Sequence, residues 1–340
     1  MANNTFNITV IGWGAWTFNV LYWLKTYHDD TQHEKKNLAA IIAMTDSGGT
    51  TGNIRDKYGV LPPGDIRRAV AALARDTGLV RQLFEYKFEG EDGVIWGNKI
   101  GNILLTALSD ITWSFEAGLD EACKMFDVQW KVIPVTLEDV HLGVRMEDGT
   151  EVIWEKNIDV SETNPEHKDH NINQNVKDAF LVWGEGNLNP RARDAIIHSD
   201  LIVIGPGHLY TSIIPNLLSK WIRRALADSP AKKVFVCNIM ADRGDTTTYE
   251  LPDFIENIER YAGEVIDYVL VNSGHISDET LEKYKLKEWK RPVKLKPHMD
   301  FWDKSYKIIE RDFLNESDVV RHDPQKLAAV LMDICRMWIK

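Results

Sequence analysis

The chain has 340 residues, 44% hydrophobic and 27% charged, with a formal charge of −11 at neutral pH. That balance describes an ordinary globular protein and argues against a broad nucleic-acid surface, which would need a basic face. No apolar run approaches the roughly 20 residues of a membrane span, the start Met1-Ala2-Asn3-Asn4 lacks a signal-peptide pattern, and three scattered cysteines make no disulfide or zinc framework. The expectation is a cytoplasmic protein.

In chain order, Asn7 to Ile11 reads as a strand, Thr17 to Tyr27 as a helix capped by Thr17, and Leu38 to Met44 as a second, fully buried strand. Asp65 is expected to cap a helix running through Ala74, with further helices at Leu79 to Phe88, Lys99 to Ser109 and Ser114 to Phe126. Short strands follow at Lys131 to Val135, Val140 to Met146 and Glu151 to Trp154, the last two joined by the hairpin signal Glu147-Asp148-Gly149-Thr150. Ser161 to Gln174 is polar and asparagine-rich, as in a mobile loop. Alternation then resumes: strand Leu201 to Ile204, helix Ser212 to Leu226, strand Lys233 to Asn238, helix Pro252 to Tyr261, strand Tyr268 to Val271, helix Asp278 to Tyr284 and strand Pro292 to Leu295. Helix Pro324 to Met337 closes the chain. The pattern predicts an α/β fold: a Rossmann-like, doubly wound, mostly parallel sheet with helices on both faces and a small β-rich insertion. As domains this means one α/β unit over 1–340, the insertion at 131–181 with its mobile loop, and a C-terminal helical extension at 300–340.

Four loops at predicted strand ends carry chemistry. After the second strand, Asp46 joins a donor-rich run, Ser47-Gly48-Gly49-Thr50-Thr51-Gly52, in which glycines let backbone N–H groups converge and hydroxyls add donors. Gly12-Trp13-Gly14-Ala15-Trp16-Thr17 follows the first strand and leads into a helix, Gly205-Pro206-Gly207-His208-Leu209-Tyr210-Thr211-Ser212 follows the strand at 201–204, and Asn238 to Thr246 follows the next. In a parallel sheet all would meet at one edge, where such folds hold ligands. An NAD-dependent oxidoreductase would also place glycines after its first strand and an acid, Asp46, after its second. It ranks third, because the third glycine of that fingerprint and a hydride-transfer constellation are missing.

Other candidates have plainer readings. His167 and His170 lie in the asparagine-rich loop without a third ligand, His208 suits ligand contact better than catalysis, and Asp245 with Thr246 suits a turn as well as a ligand. Arg55, Lys57, Arg67, Arg68 and Lys99 are available to offset diphosphate charge.

The ordered set Asp46-Ser47-Gly48-Gly49-Thr50-Thr51-Gly52, Val60-Leu61-Pro62-Pro63-Gly64-Asp65-Ile66-Arg67, Lys99-Ile100-Gly101-Asn102, Pro134 to Val140, Gly205-Pro206-Gly207 with Leu209 to Ser212 and Pro215-Asn216, Cys237-Asn238-Ile239-Met240 and Val271-Asn272-Ser273-Gly274 resembles the YvcK/CofD superfamily. Within it, the Leu-Pro-Pro-Gly-Asp-Ile-Arg run points to the gluconeogenesis-factor branch. The resemblance implies a nucleotide or nucleotide-sugar ligand, UDP-N-acetylglucosamine foremost, and a regulator linked to carbon metabolism and cell shape. Gly12, Gly14 and Thr17 with Gly205, Gly207, Tyr210, Thr211 and Ser212 would then hold diphosphate. Asp46, with Ser47, Gly48 and Gly49, would meet a hydroxyl or Mg²⁺, and Asn102, Asn216 and Asn238 would supply amide contacts. The other branch transfers a 2-phospho-L-lactate group from a nucleotide-activated donor to a deazaflavin; for it, Asp46 is the candidate metal ligand and catalytic residue. A homodimer is compatible with either reading.

Two departures stand out. Where the family has paired aspartates, this chain has Thr45-Asp46, which weakens metal-assisted transfer. It also contains 12 Trp against 11 Phe and 10 Tyr, and Trp13, Trp16, Trp23, Trp96, Trp113, Trp130, Trp154 and Trp221 stand where the resembling family has glycine. An indole at Trp13 or Trp16 conflicts with a phosphate-cradling loop. The expectation is that UGA codons meaning glycine have been read as tryptophan.

Overall fold

The computed structural model describes residues 5–12, 15–27, 35–75, 77–87, 97–158, 173–287, 290–296, 299, 304–315 and 320–338. Trp13, Gly14, Trp96, His167, His170 and most of the asparagine-rich loop lie outside these residues, as do the side chains of Trp16 and Thr17.

Twelve strands form among the described residues: β1 (Thr5–Ile11), β2 (Lys35–Ile42), β3 (Lys131–Pro134), β4 (His141–Met146), β5 (Glu151–Ile153), β6 (Val176–Val182), β7 (Leu201–Ile204), β8 (Lys232–Val236), β9 (Met240–Ala241), β10 (Tyr268–Asn272), β11 (Arg291–Pro292) and β12 (Lys307–Arg311). Seven of them make one sheet in the order β12-β10-β8-β7-β1-β2-β3, and every pairing in it is parallel. Strand order runs one way from β1 through β2 and the other way through β7, so the switch point lies between β1 and β7.

Alternate residues of the central strands enter two separate cores, because successive side chains of a strand point to opposite faces. Ile8, Val10, Ala40, Ile42, Val203 and Val236 join the core beneath α1 (Ala15–Thr26), α3 (Pro63–Leu73) and the C-terminal helix at Pro324–Trp338. Ile11, Ile41, Ile204, Phe235 and Val271 join the core on the other face. There the antiparallel sheet β5-β4-β6 packs, together with helices at Pro190–Ile197 and Leu251–Ala262.

The doubly wound expectation holds, with local corrections. Residue Thr17 sits inside α1, which begins at Ala15, and so does not cap it. The donor-rich run is shorter as a loop than expected, because helix α2 (Gly49–Tyr58) starts within it. Asp65 lies in the first turn of α3, whose N-cap is Pro62. Strand β3 extends the main sheet beside β2 and is not part of the insertion, while β6 supplies the insertion's third strand. The long helix expected from Ser212 is split into a π turn (Leu209–Ile213), a short helix (Ile214–Leu217) and another at Ile222–Asp228. Among the described residues strand β11 pairs only with β9, and the strand at the edge beside β10 is β12.

Candidate functional site

The parallel order places the loops after β10, β8, β7, β1 and β2 side by side at the carboxyl edge, about 4.8 Å from one strand to the next. At the switch point the backbone of the first loop meets that of the third. Gly12 has φ +128° and Gly205 φ +81°, and a Cβ on Gly12 would lie 3.4 Å from the Gly205 nitrogen. The Gly205 N–H donates to Ile11 O and the Gly12 N–H to Ile41 O, which fixes the two turns against the ends of β1 and β2.

Beside Gly207 opens a cavity of about 280 Å³ lined by His208, Asn238, Asp242, Lys290, Arg321 and His322 among others. The Asn238 amide donates to Gly207 O at 2.9 Å, and its buried Oδ1 has no partner among the described residues. Lys290 Nζ lies 3.1 Å from Asp242, and His208 Nδ1 lies 3.8 Å from the same carboxylate. His322 Nε2 faces Cys237 O at 3.1 Å, and burial lowers its pKa to about 4. Lys290, Arg321 and His322 escaped the sequence reading. They come from distant points of the chain, with no local spacing to join them.

On the β2 side, Asp46 accepts the Gly48 N–H at 2.9 Å. Burial raises its pKa; the Gly48 donor, the Arg68 charge, the Thr51 hydroxyl and the Arg55 charge oppose that rise. The Ser47 hydroxyl accepts the Lys156 N–H at 3.2 Å, which joins this loop to the small sheet's connection. Two glycines let the helices come this close. A Cβ on Gly52 would stand 2.3 Å from Ser47 O, and one on Gly64 would stand 2.1 Å from Thr51 Oγ1 and 2.7 Å from Asp46 Oδ2. This is the steric reason for glycine within Leu-Pro-Pro-Gly-Asp. Gly64→Ala is therefore expected to displace Asp46 and Thr51 and to lower stability by about 1–3 kcal/mol, read as a lower urea midpoint. An unchanged midpoint would show that the loop yields freely.

Several basic residues proposed to meet diphosphate are engaged elsewhere. Arg55 is buried, donating to Asp139 and to Val140 O at 2.6 Å, which pins α2 to the Leu137 to Val140 segment. Arg67 is 1% exposed and donates to Phe84 O and to Glu85, which also holds Lys99. Arg68 pairs with Asp65 at 3.4 Å, and Lys57 is exposed.

The remaining candidates separate by burial. Tyr210 is fully buried, its hydroxyl meeting Tyr249, Asn257 and Val176 O, so its contacts lie within the core. Thr211 and Ser212 are half-buried in the π turn, and Ser212 O accepts from the wholly buried Asn216 amide. Asn102 is buried in the first turn of the helix at Ile100–Thr112. Asp245 and Thr246 hydrogen-bond to each other at 3.1 Å, and Thr246 Oγ1 accepts the Asp242 N–H, in keeping with the turn reading.

Among the described residues no helix is long and apolar enough to cross a membrane, and no group of three or more His, Cys, Asp or Glu side chains could hold a metal ion.

A seven-stranded parallel sheet with two glycine turns abutting at its switch point, flanked by a polar cavity and a carboxylate loop, defines a doubly wound α/β protein with a composite loop site. The chain belongs to the CofD family: the model described as 2-phospho-L-lactate transferase CofD matches residues 8–314. It is 36% identical over 313 residues to the gluconeogenesis factor of Bacillus subtilis, covering 90% of this chain and 92% of that one. With the gluconeogenesis factor of Halalkalibacterium halodurans it shares 33% identity over 333 residues, 96% of each chain. A crystal structure of a Bacillus halodurans protein superposes with a TM-score of 0.86 at 33% identity, over 97% of this chain and all of that one.

Proposed function

We propose that this protein binds a nucleotide-sugar at the carboxyl edge of its sheet, UDP-N-acetylglucosamine being the first candidate, and acts as a regulator of carbon metabolism and cell shape. One observation carries the reading: Gly12 and Gly205 abut at the switch point between a polar cavity and the Asp46 loop. In open parallel sheets that crevice is where phosphates and sugars are received by backbone N–H groups. The relatives named gluconeogenesis factor support the link to carbon metabolism.

A second reading, transfer of a phospho-lactate type of group from a nucleotide-activated donor, is favoured by the description of the matching family model. It would use Mg²⁺ at Asp46. The donor set there is thin, since among the described residues no group of three or more His, Cys, Asp or Glu side chains gathers and burial favours the protonated form of Asp46. An ion at this point would depend on phosphate oxygens of the ligand for most of its shell.

Thermal-shift measurements with UDP-N-acetylglucosamine, GDP and NAD, each with and without Mg²⁺, test the choice. UDP-N-acetylglucosamine at a hundred times its Kd is expected to stabilise the chain by about 2.7 kcal/mol without being consumed. No shift would remove that ligand, and Mg²⁺-dependent turnover of a nucleotide-activated donor would install the transferase reading instead.

A further inference from the structure

Five described residues other than glycine have a positive φ: Trp113 (56°), Asp127 (49°), Trp154 (80°), Trp183 (66°) and Trp221 (76°). Left-handed backbone crowds any Cβ, aspartate tolerates it better than most residues, and a bulky aromatic there is an outlier. That four of the five should be one residue type, in a chain with 12 Trp among 340 residues, requires a cause. We infer that these four positions are glycine in the natural polypeptide, their codons being UGA read as glycine by the source organism and as tryptophan in this sequence. The inference narrows the family-based expectation to particular residues and adds Trp183, which that expectation did not include.

Local structure supports it at each place. Trp113 ends the helix at Ile100–Thr112 in the left-handed cap position that glycine usually fills, with its indole 92% exposed. Trp221 opens the helix at Ile222–Asp228 with φ 76° and ψ −5°, and it and Trp183 are more than 60% exposed. None of the four indole N–H groups makes a hydrogen bond among the described residues, although a tryptophan that packs usefully engages this donor. Trp338 provides the contrast: on an ordinary helical backbone it donates to Tyr268 Oη at 2.7 Å. Trp130 likewise donates to Lys36 O at 3.1 Å.

The substitution also reshapes the wall near the Asp46 loop. The rings of Trp154 and Trp183 lie 4.9 Å apart and cover His141 at 4.2 and 4.7 Å, and His141 Nδ1 is buried without a partner among the described residues. Trp154 is two residues from the Lys156 amide that binds Ser47. With glycine at 154 and 183, the imidazole edge faces open space beside that loop.

The native gene and the polypeptide purified from its own cells decide the matter. UGA at all four positions, with peptide masses showing glycine, is the expected result; UGG codons, or peptides carrying tryptophan, would overturn it. A recombinant test runs alongside. The chain with Trp113→Gly, Trp154→Gly, Trp183→Gly and Trp221→Gly is expected to melt several degrees higher, because four left-handed residues lose their Cβ, whereas Trp338→Gly melts lower. A lower midpoint for the fourfold variant would show that the indoles belong there.

Discussion

Arg67→Ala is expected to cost about 3–5 kcal/mol of folding stability, although the residue lies close to the site's signature run. Its guanidinium and stem are packed where almost no water reaches, against Gly101, on which a Cβ would stand 2.7 Å from the arginine stem. The side chain satisfies Phe84 O at 3.1 Å and joins Glu85, on which Lys99 also converges at 2.5 Å. Burial pushes the Glu85 carboxyl up, yet the hydrogen bonds and charges of Lys99 and Arg67 outweigh this and hold it below the ordinary value. Truncation leaves a cavity under α3 and removes the buried partner of a carbonyl and a carboxylate. Arg67→Met keeps the stem and should lose less. Urea unfolding measures both, a lower midpoint at unchanged slope being the expected signature. A loss below about 1 kcal/mol for Arg67→Ala would place the pair among weak surface bridges.

Acid should unfold the chain that bears tryptophan at 154 and 183, whose rings cover His141, through two buried histidines. His141 and His322 are each 6% exposed. Burial lowers both pKa values to about 4, helped at His141 by the Arg55 charge. The folded state thus binds fewer protons than the unfolded state wherever an unfolded histidine, with a value near 6.5, is charged. The contribution of each is complete above about pH 6.5 and falls as pH drops from there through about 4, by roughly 3 kcal/mol for the more deeply buried His322 and by less for His141, where Asp139 and Asp56 oppose the shift. Asp46 acts in the opposite sense. Its raised pKa gives stability present at low pH and lost as pH rises through the folded value. Denaturant midpoints between pH 7 and pH 4 should therefore decline, and His322→Gln should flatten part of the decline. A flat profile for the unaltered chain would mean that neither imidazole is held neutral by the fold.

The alternation of elements and the positions of the strand-end loops were legible in the residues, because buried parallel strands read as apolar runs and turns as glycine clusters. Leu38 to Ile42 and Leu201 to Ile204 could be little else. Helix α2 was not legible. Gly49-Thr50-Thr51-Gly52 has poor helical propensity, and its first turn stands because Gly52 and Gly64 allow α2 and α3 to close on Ser47, Thr51 and Asp46. Strand β12 was missed because an edge strand with partly exposed side chains shows no buried run. At the site, the sequence could name donors but not partners. Arg55 and Arg67 looked available for phosphate, and Asp139 and Glu85 take them. Tyr210 looked like part of a ligand loop and is sealed into the core.

What the sequence by itself determined is the class of fold, the family, and which loops carry glycine, hydroxyl and carboxylate groups, since each follows from local pattern along the chain. Only the tertiary structure decided which loops are neighbours. The order β10-β8-β7-β1-β2 sets Gly12 against Gly205 and Asn238 against Gly207. It also showed that Trp113, Trp154, Trp183 and Trp221 sit on left-handed backbone. Strand adjacency is settled by packing between segments far apart in the chain, and it leaves no mark on the residues in one window of it.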